Sequence, residues 1–156
     1  MTLDLGPSGD RTAPGLGDIR LLAARIGGQA RLVAWKPVTA LVKQREGCLT
    51  PSGGHADFEF VGAVPGGQVS LLPDAGGGGY TAAFAVPRSF LELTFAPGAT
   101  LAADVEVLLS GQGALGLQAL SRNSLFAPRR SETTMINDTP TEARLYPQFW
   151  GQAQVK

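Results

Sequence analysis

The chain has 156 residues, 44% of them hydrophobic and 17% charged, and its 13 basic and 13 acidic side chains cancel to a net charge of zero. A chain of this length suits one domain that buries roughly 70% of the surface its unfolded form exposes, and low charge beside ample apolar content excludes intrinsic disorder. The balanced charge also excludes a groove that tracks phosphates, which needs a clustered basic excess; Arg129 and Arg130, with Arg122 and Arg144 farther off, come nearest to one.

The single cysteine, Cys48, has no intrachain partner, so no disulfide framework is expected. The segment Met1–Pro7 lacks the basic and apolar regions of a secretory leader. The Asn137-Asp138-Thr139 sequon therefore carries no weight. No uninterrupted run approaches the ~18 apolar residues of a membrane helix. These features predict a soluble protein made in the cytosol, with no membrane span and no specific nucleic-acid partner. A near-neutral surface lacks the self-repulsion that keeps copies apart, which favours self-association.

Gly (21) and Pro (11) divide the chain into short apolar runs, together about a fifth of the residues against roughly 12% in average proteins. Residues 1–17 hold Gly6, Gly9, Gly15, Gly17, Pro7 and Pro14 without apolar periodicity. They read as an extended N-terminal arm, free or ordered on a neighbouring subunit. Ile19 to Ile26 reads as the first strand, and Gly27-Gly28 as a two-residue hairpin turn into Ala30 to Trp35. There Arg31, Val33 and Trp35 share one face and Leu32 and Ala34 the other, with Trp35 expected to cap the core.

Pro37 stops that ladder, and Val38 to Lys43 reads as the next strand or a short edge strand. Gln44 to His55 reads as a loop. Ala56 to Ala63 alternates, with Phe58 and Phe60 opposite Asp57 and Glu59, and Pro65-Gly66-Gly67 turns the chain into Gln68 to Leu72. After a glycine-rich loop from Asp74 to Gly79 come Tyr80 to Val86, Ser89 to Phe95 and Asp104 to Leu109, separated by Pro87 and by Pro97-Gly98. Leu91, Leu93 and Phe95 make one inward row, and Val105, Val107 and Leu109 the next. Leu115 to Leu120 is a further strand or a single helical turn. Residues 127–156, with Pro128, Pro140 and Pro147, read as a C-terminal extension lying on the domain or on a neighbour, with a short helix at Thr141 to Tyr146.

About eight or nine short strands at roughly ten-residue spacing predict an all-β fold. The expected form is an antiparallel β-sandwich or jelly-roll-like barrel over residues 18–126, flanked by extended arms.

The reactive inventory is sparse. Gly111-Gln112-Gly113-Ala114-Leu115-Gly116 matches G-x-G-x-x-G, in which glycines let the backbone approach a pyrophosphate at a helix N-terminus. Too little chain follows for that fold, Pro128 would cut the helix, and no parallel βα unit precedes it, so it reads as a glycine-rich connection. His55, Asp57 and Cys48 are the one cluster of ligand or nucleophile types. A structural zinc site wants a second pair that is missing, which leaves a loop histidine, a solvent-facing aspartate and a small buried cysteine. Glu92 and Glu106 are carboxylates of the type a glycosidase pairs, but each reads as a charge on the polar face of a strand. One histidine leaves little material for a Ser-His-Asp arrangement. No enzymatic activity, cofactor or metal is expected.

Trp35, Tyr80, Tyr146, Phe149 and Trp150 offer a platform for stacking sugars, the basis of an alternative reading as a non-catalytic carbohydrate-binding β-sandwich module. Aromatic and arginine anchors also dominate protein interfaces. Tyr146, Phe149 and Trp150 in the tail, with Arg129 and Arg130, are therefore the candidate interface residues.

A β-domain with few catalytic groups, zero net charge and irregular arms at both ends resembles the organisation of bacteriophage virion proteins. These are single β-barrel (jelly-roll) coat proteins or small trimeric decoration proteins that staple capsomers. The resemblance covers the whole chain and rests on organisation, not on a motif. It implies a structural role in a capsid, symmetric homo-oligomers that contact other capsid subunits, no cofactor, and residence in the virion after synthesis in the host cytoplasm.

Overall fold

The computed structural model describes residues 1–39, 46–49, 55–93, 95–112, 118–126 and 145–156. In chain order the strands are β1 (Thr2–Pro7), β2 (Ile19–Ile26), β3 (Gln29–Pro37), β4 (Glu46–Leu49) and β5 (His55–Ala63). They continue with β6 (Gln68–Pro73), β7 (Tyr80–Ala85), β8 (Thr100–Gln112), β9 (Gln118–Ser124) and β10 (Gly151–Gln154). One short helix, α1 (Arg88–Leu91), precedes β8, and a 3-10 turn spans Pro147–Phe149.

The fold is all-β and sandwich-like. Among the described residues, eight strands form one antiparallel sheet in the order β10-β8-β1-β2-β3-β5-β4, with β9 pairing β8 off that path, and β6 and β7 form a separate two-stranded ribbon. Among the described residues the order runs open from β10 to β4, and the sheet does not close into a barrel.

The β2–β3 hairpin follows directly from its sequence. Gly27 and Gly28 take φ of 57° and 81°, the left-handed pair that a twisted two-residue turn demands and that side chains with a Cβ resist. From that turn the strands pair in register through Leu21↔Ala34 to Arg20↔Trp35. Ile19, Leu21, Leu32 and Ala34 fall on one face and form the core with Val64 and Leu91. The ribbon covers this face with Val69 and Phe84, and Phe90, Leu93 and Phe95 add to it. Phe60 meets Phe90 edge to face, centroids 5.1 Å apart. Lys36 closes the rim, its Nζ 4.7 Å from the Phe90 centroid and 3.4 Å from Glu92 Oε2.

Three expectations need correction. Residues 2–7 do not belong to an arm: β1 lies inside the sheet, with Asp4 opposite both Arg20 of β2 and Asp104 of β8. Two flanking ladders satisfy its backbone donors and acceptors on both sides, which outweighs the local Gly and Pro content. The supposed loop from Gln44 to His55 contains β4, whose Cys48 pairs with Ala56 and whose Leu49 pairs with His55. Ser89 to Phe95 is no strand: the chain makes one helical turn after Pro87 and leaves it through Glu92 at φ 55°. Leu91, Leu93 and Phe95 still reach the core from that irregular path. The described end of the C-terminal extension lies on the domain as a strand, β10, on the edge of β8. The expected strand from Val38 to Lys43, the expected helix from Thr141 to Tyr146 and the residues 113–117 fall largely or wholly outside the described residues.

Candidate functional site

Strand alternation puts Arg20 on the face opposite Leu21. Across that face the register aligns Asp104 (β8), Asp4 (β1), Arg20 (β2) and Trp35 (β3) in one row. The row is charged yet buried: Asp4 is 2% exposed, Arg20 6% and Asp104 7%. Arg20 grips Asp4 with both prongs of its fork, Nε to Oδ1 and Nη2 to Oδ2, each 2.6 Å. Its guanidinium carbon lies 5.7 Å from the Trp35 ring centroid. Asp104 Oδ1 accepts from the backbone N–H groups of Val105 and Phe126, and Glu106 Oε2 accepts from the Thr2 hydroxyl. Trp35 therefore lies beneath an arginine on the polar face and does not cap the apolar core.

Burial raises the Asp4 carboxyl to about 6, with Arg20 opposing the shift and Glu106 and Asp104 adding to it. Desolvation works against the charge on Arg20, but Asp4, Glu106 and Asp104 more than offset it and raise its pKa. The pair is ionised at neutral pH, and its bidentate closure fits a locking role in the sheet.

A second polar cluster joins the two ends of the chain. After β1 the backbone loops through residues 8–17 and returns at Asp18, whose fully buried side chain pairs with Arg11 at 2.5 Å. The same carboxylate oxygen accepts from the Gly15 N–H, and Arg11 Nη2 donates to the Pro7 carbonyl. The Arg11 guanidinium carbon sits 5.9 Å from the ring centroid of Trp150. Trp150 is fixed in turn by its Nε1, which donates to the Leu145 carbonyl at 3.1 Å. Gly6 makes this junction possible, because a Cβ there would collide with Asp18 Oδ1 and press on Trp150. Arg11 Nε and Asp18 Oδ1 are buried without a hydrogen-bond partner among the described residues. Between the 8–12 loop and Pro147–Gln152 lies a cleft of about 300 Å³, which Ala102 of β8 also lines.

The candidate residues from the sequence separate accordingly. Trp150 walls the cleft; Tyr146 stacks on Phe149 with centroids 6.4 Å apart, and Phe149 is exposed beside it. Arg129 and Arg130 lie outside the described residues. Glu92 belongs to the Lys36 rim and Glu106 to the buried polar face, so they do not face one another as a catalytic pair. Gly111 and Gln112 end β8, which runs antiparallel to β9, whereas a dinucleotide-binding turn leads to a parallel neighbour. Cys48 and His55 sit on neighbouring ladder strands and not in a loop. Among the described residues, no group of three or more His, Cys, Asp and Glu is arranged to hold a metal ion, and no helix is long and apolar enough to cross a membrane.

Sequence reasoning missed Arg11, Asp18 and the Asp4–Arg20 pair. Each charge on β1, β2 and β8 sits between apolar neighbours, the same signature that marks a solvent-facing charge on a half-buried strand.

Comparison of the chain with protein-family models finds no matching family, and neither the curated proteins nor the solved structures contain a match.

Proposed function

We propose that the protein is a non-catalytic assembly subunit, of the viral coat or capsid-decoration kind, that acts through contacts between copies of itself and with other subunits of a virion. One observation carries this reading: the outer half of the β6–β7 ribbon presents Leu72, 60% exposed, and Tyr80, 41% exposed, beside a glycine-rich tip. A two-stranded hairpin is marginal in water by itself, and a neighbouring subunit that covers these side chains would stabilise it. Leu125, Phe126 and Phe149 are further exposed apolar side chains, and the Phe126 ring lies against Gly151 at the start of β10. Apolar side chains exposed both on the ribbon and beside β10, on a neutral subunit, suit a head-to-tail contact, which closes into a ring when the rotation allows.

Light scattering across a concentration series tests this. A multimer is expected, and replacing Leu72 and Tyr80 by Ser should reduce it to the monomer mass. A protein that stays strictly monomeric at high concentration, with no assembly induced by partner subunits, would overturn the proposal. A second reading, a carbohydrate-binding module, is favoured by the cleft beside Trp150.

A further inference from the structure

We infer that the cleft between the 8–12 loop and Pro147–Gln152 binds a short neutral saccharide, a mono- or disaccharide; this rests on the carbohydrate-binding reading and assigns its site. A volume of about 300 Å³ stands at the small end of ligand clefts, roughly 300–1,000 Å³.

The wall chemistry selects the ligand class. Trp150 supplies the apolar surface on which the C–H face of a pyranose stacks, and its anchored Nε1 keeps the ring from turning. Gln148 and Gln152 line the cleft together with Trp150, and each amide both donates and accepts, which matches hydroxyl groups that do the same. Asp10 and Thr12 from the facing loop add a carboxylate acceptor and a hydroxyl.

Other classes fit less well. The lining cation, Arg11, is already paired with the buried Asp18 carboxylate, so it offers little net charge to recruit an anion, and Asp10 repels one. A quaternary ammonium wants a cage of several aromatic faces, whereas Trp150 is the single aromatic residue of this lining. The loop is also held before any ligand arrives, through Arg11 to Asp18 and to the Pro7 carbonyl. That preorganisation reduces the ordering cost of binding.

The test uses the full chain against glucose, galactose, mannose, N-acetylglucosamine and their β1,4-linked disaccharides, read by calorimetry. Binding of at least one sugar is expected. Trp150→Ala should abolish it, and Gln148→Ala and Gln152→Ala should each weaken it about tenfold, the scale of one lost hydrogen bond. Ile26→Ala, at the exposed hairpin end of β2 and outside the cleft lining, should leave it unchanged. If Trp150→Ala fails to fold, the two exposed glutamines decide. Undiminished binding in both glutamine variants would overturn the site and leave the carbohydrate reading standing. No binding by any sugar of the panel would overturn both.

Discussion

The two faces of the central sheet are both buried, but by opposite chemistry. One carries Ile19, Leu21, Leu32 and Ala34 and is sealed by the β6–β7 ribbon and the segment around α1. The other carries Asp104, Asp4, Arg20 and Trp35 in a single row. On β1 the polar face is the deeper one: Thr2 and Asp4 are buried, whereas Leu3 and Leu5 are half-buried. Apolar burial is non-directional and tolerates imperfect fit. A buried ion pair does not, because either partner left alone is an uncompensated charge in a poorly solvated place. The apolar face supplies the cohesion, and the charged face fixes the register of four strands, since a one-residue slip would move every member of the row to the wrong side.

Mutations on either face sharpen the contrast. The largest effect is expected from Arg20→Ala, which strands Asp4 beside two further acids and should cost about 3–5 kcal/mol in urea denaturation. A cost below that of an ordinary surface substitution would show that the row is solvated and not a lock. On the apolar face, Leu21→Ala should cost about 3 kcal/mol through lost burial and the cavity left behind. Its size should be insensitive to pH, and a strong pH dependence would break the division between the two faces.

The smallest of these effects is pH itself. The folded Asp4 carboxyl titrates at about 6, above its ordinary 3.8, so folding takes up a proton between these values. The stability gained that way is fully present below about pH 4 and is lost as pH rises through about 6, a change on the order of 2–3 kcal/mol. Denaturation midpoints measured from pH 4 to pH 7 should show this fall, and Asp4→Asn should flatten it. An unaltered slope in Asp4→Asn would assign the titration elsewhere.

How much of this was legible depended on how local the cause was. The β2–β3 hairpin, the turn at Pro65-Gly66-Gly67 and the strands β5 to β7 could be read because glycine turns and period-two alternation act over a few residues. The alternation Thr2-Leu3-Asp4-Leu5 was present too, but the glycines and prolines around it masked a strand held by partners far along the chain. β10, Gly-Gln-Ala-Gln, has no apolar pattern at all and exists through its pairing with β8. The spacing of Leu91, Leu93 and Phe95 identified their burial correctly and their conformation wrongly, since a helical turn followed by an irregular segment delivers the same three side chains inward. Trp150 was singled out from the sequence; Arg11 was not, because the cleft they share is made by segments from opposite ends of the chain.

The position of β1 also orders events during synthesis. Thr2 lies 104 residues from Glu106, its partner across the β1–β8 ladder. The β2–β3 hairpin can close soon after it leaves the ribosome, while β1 waits with one edge bare until β8 emerges. Pairings this distant fold slowly, on roughly the millisecond-to-second scale, and a bare edge invites other chains to pair with it. The nascent protein is therefore most vulnerable to aggregation in the interval before its eighth strand is made, and a chaperone that shields the first strand would act there.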